Sequence, residues 1–365
     1  MLISFVIPTR NRLSELSITL EQLQKLNMDD LGGQAEVIVV DNGSHSRLDL
    51  PAKLTNGLMI QQVHLDENIG AGARNVGVEH AHGDWVIMLD DDSNLRPGEV
   101  GAYLDLVDPA LGAIGGEIYL PDGSHEAGGL PEVIVGCGCA IRRDAFLEVG
   151  GYDASFGYYA EEYDLCAKLI AGGYTVGHCR SLQFDHRKCS VGRHMDQILY
   201  RLVRNNGWVI KRFAPDKYRQ FALDEMLTRY ELIAVKEQAV DGYRRGCAAL
   251  ESTIDDQKQQ ALNAHEWDRF TGASAVRSSL SAELSKYSSQ TVSIVGPACG
   301  KGLGLIQDVI ESCGFSLDCG LQCVDSLEVI GTLSPGPMID ARSLFPAAIT
   351  PWEIESSSTA SISLS

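Results

Sequence analysis

The chain has 365 residues, 44% of them hydrophobic and 22% charged, a length that points to about two domains and a balance that excludes wholesale disorder or a fibrous fold. Thirty basic against 49 acidic side chains leave a net charge of −19, which opposes generic attraction to nucleic-acid phosphates or anionic lipid. No stretch reaches the roughly 18 to 20 apolar residues needed to span a bilayer, and the N-terminus enters LISFVIP without a basic leader, so a cytoplasmic protein with no transmembrane segment and no nucleic-acid partner is expected.

From the N-terminus to about residue 190, short apolar runs alternate with helical patterns, the signature of a mostly parallel α/β sheet covered by helices. LISFVIP, EVIVVD, LMIQQVHL and DWVIMLD read as strands. Between them Leu13, Leu16, Leu20 and Leu23 recur at helical spacing over residues 13–26, and residues 71–81 form a second predicted helix. Each strand ends in polar residues, and in open α/β sheets the ligand crevice lies beyond those carboxyl ends. After about residue 195 the sequence becomes charged and helix-favouring, Arg219 to Glu251 carrying few Gly and no Pro. Residues 271–290 read as a loose connection or a helix from Ala275 to Tyr287, and TVSIVGPACGKGLGLIQDVIESCGF reads as strand, Gly-rich turn and helix. The expected organisation is residues 1–214, a helical segment 215–290, and a small C-terminal α/β unit 291–365 whose Ser-rich end from Glu355 is frayed.

Ten cysteines lie scattered without a repeated CxxC pair and read as reduced, mostly buried thiols. Cys313, Cys319 and Cys323 match no standard zinc spacing, so packing is the expected role. GPACGKGLG lacks the four-residue gap and the Ser or Thr of a phosphate loop and receives no nucleotide role.

The densest chemistry is DWVIMLD running into Asp90, Asp91 and Asp92. Three adjacent carboxylates repel one another unless a cation or solvent compensates, and a divalent metal is the natural compensator. On an extended strand Asp90 and Asp92 would share a face while Asp91 points away. The alternative is a solvated turn capping a helix that starts near Pro97.

Other segments sharpen the choice. The first strand ends IPTRNR, the second VVDNGS, and ENIGAGARNVGVEHAHGDWVIMLDDD precedes the acidic residues. In this order and spacing, over roughly the first 210 residues, the sequence resembles glycosyltransferase family 2, which implies a GT-A fold, an inverting sugar transfer and a DxD-type metal motif. The resemblance implies that Asp41 accepts a hydrogen bond from uracil or thymine; the alternative is a turn carboxylate serving local backbone N–H groups. It places Pro8, Thr9, Arg12, Asn68, Gly70, Arg74, Asp90 and Asp91 around a nucleoside diphosphate sugar, UDP or dTDP favoured. Arg12 alternatively is a solvated charge, and Arg74 a partner of Glu79 or Asp66.

Further along, GGYDASFGYYAEEYDLCAKLIAGGY resembles the family's acceptor-side segment, with EE where ED is usual. By motif position Glu162 is the general base, with Glu161 as the alternative; the two lie about 100° apart around the helix, so only one faces the cleft. Acidic residues in a first turn also favour the helix dipole without any catalytic purpose, and Asp164 with Lys168 is an i,i+4 pair. In FDHRKCS the resemblance makes His186 a metal ligand beside Asp90 and Asp92, although a lone His is more often structural. Arg201 and Arg204 either touch phosphate or balance the acidic surface. The resemblance ends before the C-terminal portion, for which an acceptor-side or self-association role is expected.

The resulting expectation is a Mn²⁺- or Mg²⁺-dependent inverting glycosyltransferase acting on a carbohydrate, lipid-linked sugar or small-molecule acceptor. A sugar nucleotidyltransferase is the first rival, weakened because PTRNR after the first strand carries no glycine; a non-catalytic sugar-nucleotide-binding module is the second.

Overall fold

The structure, a computed structural model, describes residues 1–189, 194–288, 291–318 and 326–354. Cys319, Cys323 and the segment from Glu355 lie outside the described residues.

The four N-terminal strands form as expected: β1 (Ile3–Thr9), β2 (Ala35–Asn42), β3 (Met59–Leu65) and β4 (Trp85–Leu89). Helices α1 (Leu13–Leu23) and α2 (Gly72–His80) connect them. Because side chains alternate along a strand, β1 feeds two cores. Ile3, Phe5 and Ile7 pack with Leu16, Leu20 and Leu23 of α1, whereas Val6 packs with Ala73 and Val78 of α2. Coverage on both faces explains why β1, β2 and β4 are nearly continuous apolar runs, whereas the edge strand β3 is not.

The chain continues through β5 (Ser93–Leu95), α3 (Val100–Leu106), β6 (Leu111–Tyr119), β7 (Gly138–Arg142), α4 (Arg143–Glu148), α5 (Glu161–Ala171) and β8 (Thr175–His186). The sheet has eight strands in the order β3-β2-β1-β4-β7-β6-β8-β5. Strands β1 to β4 run parallel where they pair, but β7 lies antiparallel to β4 and β5 antiparallel to β8. Those two antiparallel pairings build the site. Leu89, the last residue of β4, faces Gly138, while Ser93, the first of β5, faces His186; residues 90–92 are therefore held between Cys137 and His186.

The acidic residues themselves do not continue the strand. Strand β4 ends at Leu89, and a turn closed by Ser93 N–H donating to the Asp90 carbonyl (3.1 Å) reverses the chain into β5. Strand alternation consequently does not apply to Asp90 and Asp92, and α3 starts at Val100, too far on for any of the three to cap it.

Helices α6 (Met195–Phe213), α7 (Asp216–Lys236), α8 (Val240–Thr253), α9 (Ala264–Phe270) and α10 (Ala273–Leu284) follow. The Arg219–Glu251 stretch is thus two helices, separated where Gln238 adopts φ 54°; α10 stands where a loose connection or a helix from Ala275 was expected. Strands β9 (Thr291–Val295), β10 (Ser316–Leu317) and β11 (Leu327–Ile330) form a second, parallel sheet in the order β10-β9-β11, with α11 (Leu303–Ser312) and α12 (Pro335–Leu344). This C-terminal unit has its own sheet but not its own core. Leu333, Met338 and Trp352 belong to the same buried cluster as Val6, Leu165 and Trp208. Among the described residues no helix is long and apolar enough to cross a membrane.

Candidate functional site

The turn at 90–92 gives each carboxylate a different task. Asp91 points inward, accepting from Thr9 Oγ1 (2.8 Å) and pairing with Arg12 Nη1 (2.8 Å). Asp92 takes the other Arg12 nitrogen, Nη2, at 2.6 Å and the Cys189 backbone N–H at 2.9 Å. Arg12 is therefore no solvated charge: it bridges two buried carboxylates and ties the β1–α1 loop to the acidic turn. Burial pushes Asp91 up to about 7 despite Arg12 and Thr9. For Asp92 burial acts in the same sense, but hydrogen bonds from His186 and Arg12 outweigh it and hold the carboxyl far below its usual range.

Asp90 is half-buried and pairs with Arg74 of α2. Neither Glu79 nor Asp66 takes that arginine, because α2 starts at Gly72 and points its first turn at the carboxyl ends of the strands. The loop before it is shaped by Asn68, whose Oδ1 accepts from Asn42 Nδ2 (3.0 Å), Gly70 N–H (3.0 Å) and Tyr158 Oη (3.2 Å). Gly70 has φ 60°, and a side chain there would collide with the Gly157 backbone; only glycine fits this crossing. Pro8 sits at the end of β1, half-buried.

Asp41 is buried, accepts the Ser44 N–H (3.0 Å) through Oδ1, and places Oδ2 2.9 Å from His64 Nδ1. The turn role raised above is thus present in the geometry, with His64 on β3 as an additional neighbour.

His186, the last residue of β8, lies 3.4 Å from Asp92 Oδ1 through Nε2 and 2.8 Å from Glu126 Oε2 through Nδ1. Its burial opposes a charge, but Asp92, Cys137 and Glu126 around the ring favour one and push it up to about 12, so a cation at Nε2 would take the place of a proton. Nε2 is fully buried and lacks a well-directed hydrogen bond, the condition of an imidazole nitrogen built to meet a cation. Asp90, Cys137 and His186 can each bring a donor atom within 4.8 Å of the others. These residues fit a divalent metal. Cys137 and Glu126 have no local signal in the sequence; both reach the site only through the antiparallel insertion of β7 and the loop before it.

Across the site, α5 begins after Tyr159 and Ala160, both at positive φ (73° and 66°). Glu161 is buried with Oε2 unpartnered, whereas Glu162 is partly exposed and accepts the Gly136 N–H at 3.2 Å. Burial pushes both carboxyls up; the Glu162 charge adds to the effect on Glu161, while its own amide, Arg74 and the Gly136 N–H restrain Glu162. Asp164 is more than an i,i+4 partner of Lys168 (2.9 Å), since Arg212 of α6 also reaches it at 2.8 Å. Arg204 donates to the Phe156 carbonyl and lies 4.4 Å over the Trp208 ring, and Arg201 lies 5.4 Å over Tyr158; both brace the 156–160 loop. Lys301, from the Gly-rich GPACGKGLG loop, contacts Tyr163 of α5.

Residues 4–124 match the sequence profile of Glycosyl transferase family 2. An uncharacterised glycosyltransferase of Haemophilus influenzae is 25% identical over 195 residues, 46% of this chain and 62% of that one. N-acetylglucosaminyl-diphospho-decaprenol L-rhamnosyltransferase of Mycobacterium tuberculosis is 27% identical over 175 residues, 34% of this chain and 57% of that one. The chain thus spans about three fifths of the length of these relatives. Among solved structures, GalNAc-T7 with UDP, GalNAc and Mn²⁺ superposes with a TM-score of 0.50 at 17% identity, covering 70% of this chain and 57% of that one, a likeness of fold.

Proposed function

We propose, on the match of residues 4–124 to glycosyltransferase family 2, that the chain moves a sugar from a nucleoside diphosphate to an acceptor hydroxyl with inversion at the anomeric carbon. The observation that carries this reading is the meeting of the acidic turn and His186 on one side with Glu162 on the other, from segments far apart in sequence. UDP or dTDP is the favoured nucleotide, since Asp41, next to last in β2, lies at the carboxyl end of the strand and can accept from a pyrimidine ring N–H. Asp90, Asp92 and His186, with the Cys137 thiol beside them, would hold Mn²⁺ or Mg²⁺, which when bound neutralises charge on the departing diphosphate.

The chain's own groups account for the remaining steps. Arg12 keeps Asp91 and Asp92 in place, and Arg74 sets Asp90 while adding positive charge to the donor side. Glu162 removes the proton from the acceptor hydroxyl as its oxygen bonds to the anomeric carbon and the carbon–phosphate oxygen bond breaks. The desolvation that raises its pKa makes it a stronger base than a solvated carboxylate. An acceptor carrying a lipid-linked sugar is one class consistent with the rhamnosyltransferase relative; cytoplasmic location and self-association through the C-terminal portion belong to the same proposal.

Thermal-shift measurements test the donor side. UDP or dTDP with Mn²⁺ is expected to raise Tm well beyond the value in EDTA, and Asp92→Ala to remove the difference. Equal stabilisation in EDTA with activity retained defeats the metal assignment, and nucleotide binding without turnover on any sugar nucleotide favours a non-catalytic module.

A further inference from the structure

Resting on the metal reading above, we propose that the C-terminal unit positions the metal-binding histidine, with Asp340 and Glu126 as the positioning residues. A carboxylate only accepts, so the 2.8 Å contact between His186 Nδ1 and Glu126 Oε2 is an N–H donation to Glu126. That bond reserves Nε2, the nitrogen aimed at Asp92, for the cation, and it fixes the rotation of the ring. The other carboxylate oxygen of Glu126, Oε1, accepts from Lys188 Nζ at 2.8 Å, which fixes the carboxylate from its far side.

Glu126 sits in the loop between β6 and β7, and residues beyond 264 hold that loop in place. Asp340 of α12 clamps the preceding residue with both oxygens, accepting the His125 backbone N–H at 3.0 Å and meeting its Nδ1 at 2.6 Å. One helical turn earlier, Gly336 lies so close that a side chain would collide with the Glu126 carbonyl and come within 2.9 Å of the His125 Cβ. Farther along the loop, Ser334 Oγ donates to the Gly129 carbonyl at 3.4 Å, and Arg269 pairs with Glu132 through Nε at 2.8 Å. On the other side, the Glu126 backbone N–H donates to the Ile118 carbonyl of β6 at 2.9 Å. The path from α12 to the metal site is therefore three contacts long: Asp340 to His125, His125 to Glu126 along the chain, Glu126 to His186.

The test uses the full chain and Mn²⁺ alone, with free Mn²⁺ followed by electron paramagnetic resonance and Tm recorded for every variant. Glu126→Gln is expected to weaken Mn²⁺ about 10- to 100-fold, the usual consequence of removing a carboxylate behind a ligating histidine. Asp340→Ala, or the milder Asp340→Asn if the former does not fold, should weaken it less, and the double variant should be no weaker than Glu126→Gln alone because both act on one path. Trp352→Phe removes the indole N–H bond to the Leu333 carbonyl (3.0 Å) inside the C-terminal unit; it should lower Tm and leave Mn²⁺ affinity unchanged. Unchanged affinity in the Glu126 and Asp340 variants, multiplicative losses in the double variant, or an equal loss in Trp352→Phe overturns the positioning role. Failure of the wild-type chain to bind Mn²⁺ overturns the metal reading and this inference with it.

Discussion

At the scale of single residues, the catalytic question turns on two adjacent glutamates that the helix separates. Glu162 is partly exposed and anchored by the Gly136 N–H; Glu161 is buried without a partner for Oε2. A base acts on the acceptor and not on the donor, so Glu162→Gln is expected to lower turnover by about 10² or more while metal-dependent nucleotide affinity stays at the wild-type value. Glu161→Gln should affect turnover less and stability more, since its carboxyl is buried. Steady-state kinetics and nucleotide calorimetry on both variants decide the matter, and loss of turnover in Glu161→Gln alone would move the base by one residue. What could be foreseen here follows a simple division. The resemblance points to Glu162 by motif position, and one helical step of about 100° lets only one of the pair face the cleft, but the Gly136 contact depends on β7, whose antiparallel insertion no local pattern announces.

At the scale of elements, the precision of α5 depends on the loop that leads into it. Tyr159 and Ala160 hold positive φ, a strained conformation for residues with a side chain. Asn205, fully buried on α6, supports it: its Nδ2 donates toward the carbonyls of Phe156 (3.1 Å), Tyr158 (3.0 Å) and Tyr159 (2.7 Å). Asn205→Ala removes the buried amide donor that these three carbonyls share, at a cost of about 1 to 3 kcal/mol, and should lower kcat by letting the start of α5 drift, with less effect on donor binding. Urea unfolding gives the first quantity and a kcat-against-KM comparison the second; a stability loss with unchanged kcat would separate α6 from the chemistry. The elements themselves are legible where periodicity is strong, as in β1, β2, β4 and α1. The turn at 90–92 is not, because DWVIMLDDD offers nothing to end the strand before the carboxylates; the reversal comes from Ser93, whose N–H meets the Asp90 carbonyl and whose Oγ accepts the Asp90 N–H at 2.8 Å.

At the scale of the whole molecule, the two sheets share one buried cluster, so the boundary at residue 214 expected from composition separates patterns of sequence and not cores. His178 shows what the shared interior does to a titratable group. It lies on β8, beneath the C-terminal unit, with its ring 5.7 Å from that of Trp352 and Nε2 donating to the Leu130 carbonyl at 2.8 Å. Burial lowers its pKa to about 4, against an ordinary value of 6.5, and the carbonyls of Leu130 and Val133 do not offset this. Between those two values the unfolded chain binds a proton that the folded chain refuses, so the stabilisation is complete above about 6.5 and is lost as the pH falls toward 4. The difference corresponds to roughly 3 kcal/mol. Carboxyls raised by burial, namely Asp91, Glu161 and Glu162, act in the opposite sense over part of the same range, so total stability does not isolate the effect. The comparison with His178→Gln does, because glutamine keeps a donor for the Leu130 carbonyl without titrating. Denaturant unfolding of both proteins from pH 7.5 down to pH 4 should therefore show the wild type losing stability relative to the variant as the pH drops, by up to that amount. A constant difference across the range would mean that His178 reaches solvent or a counter-charge in the folded protein, and that the seam between the two sheets opens more readily than its packing implies.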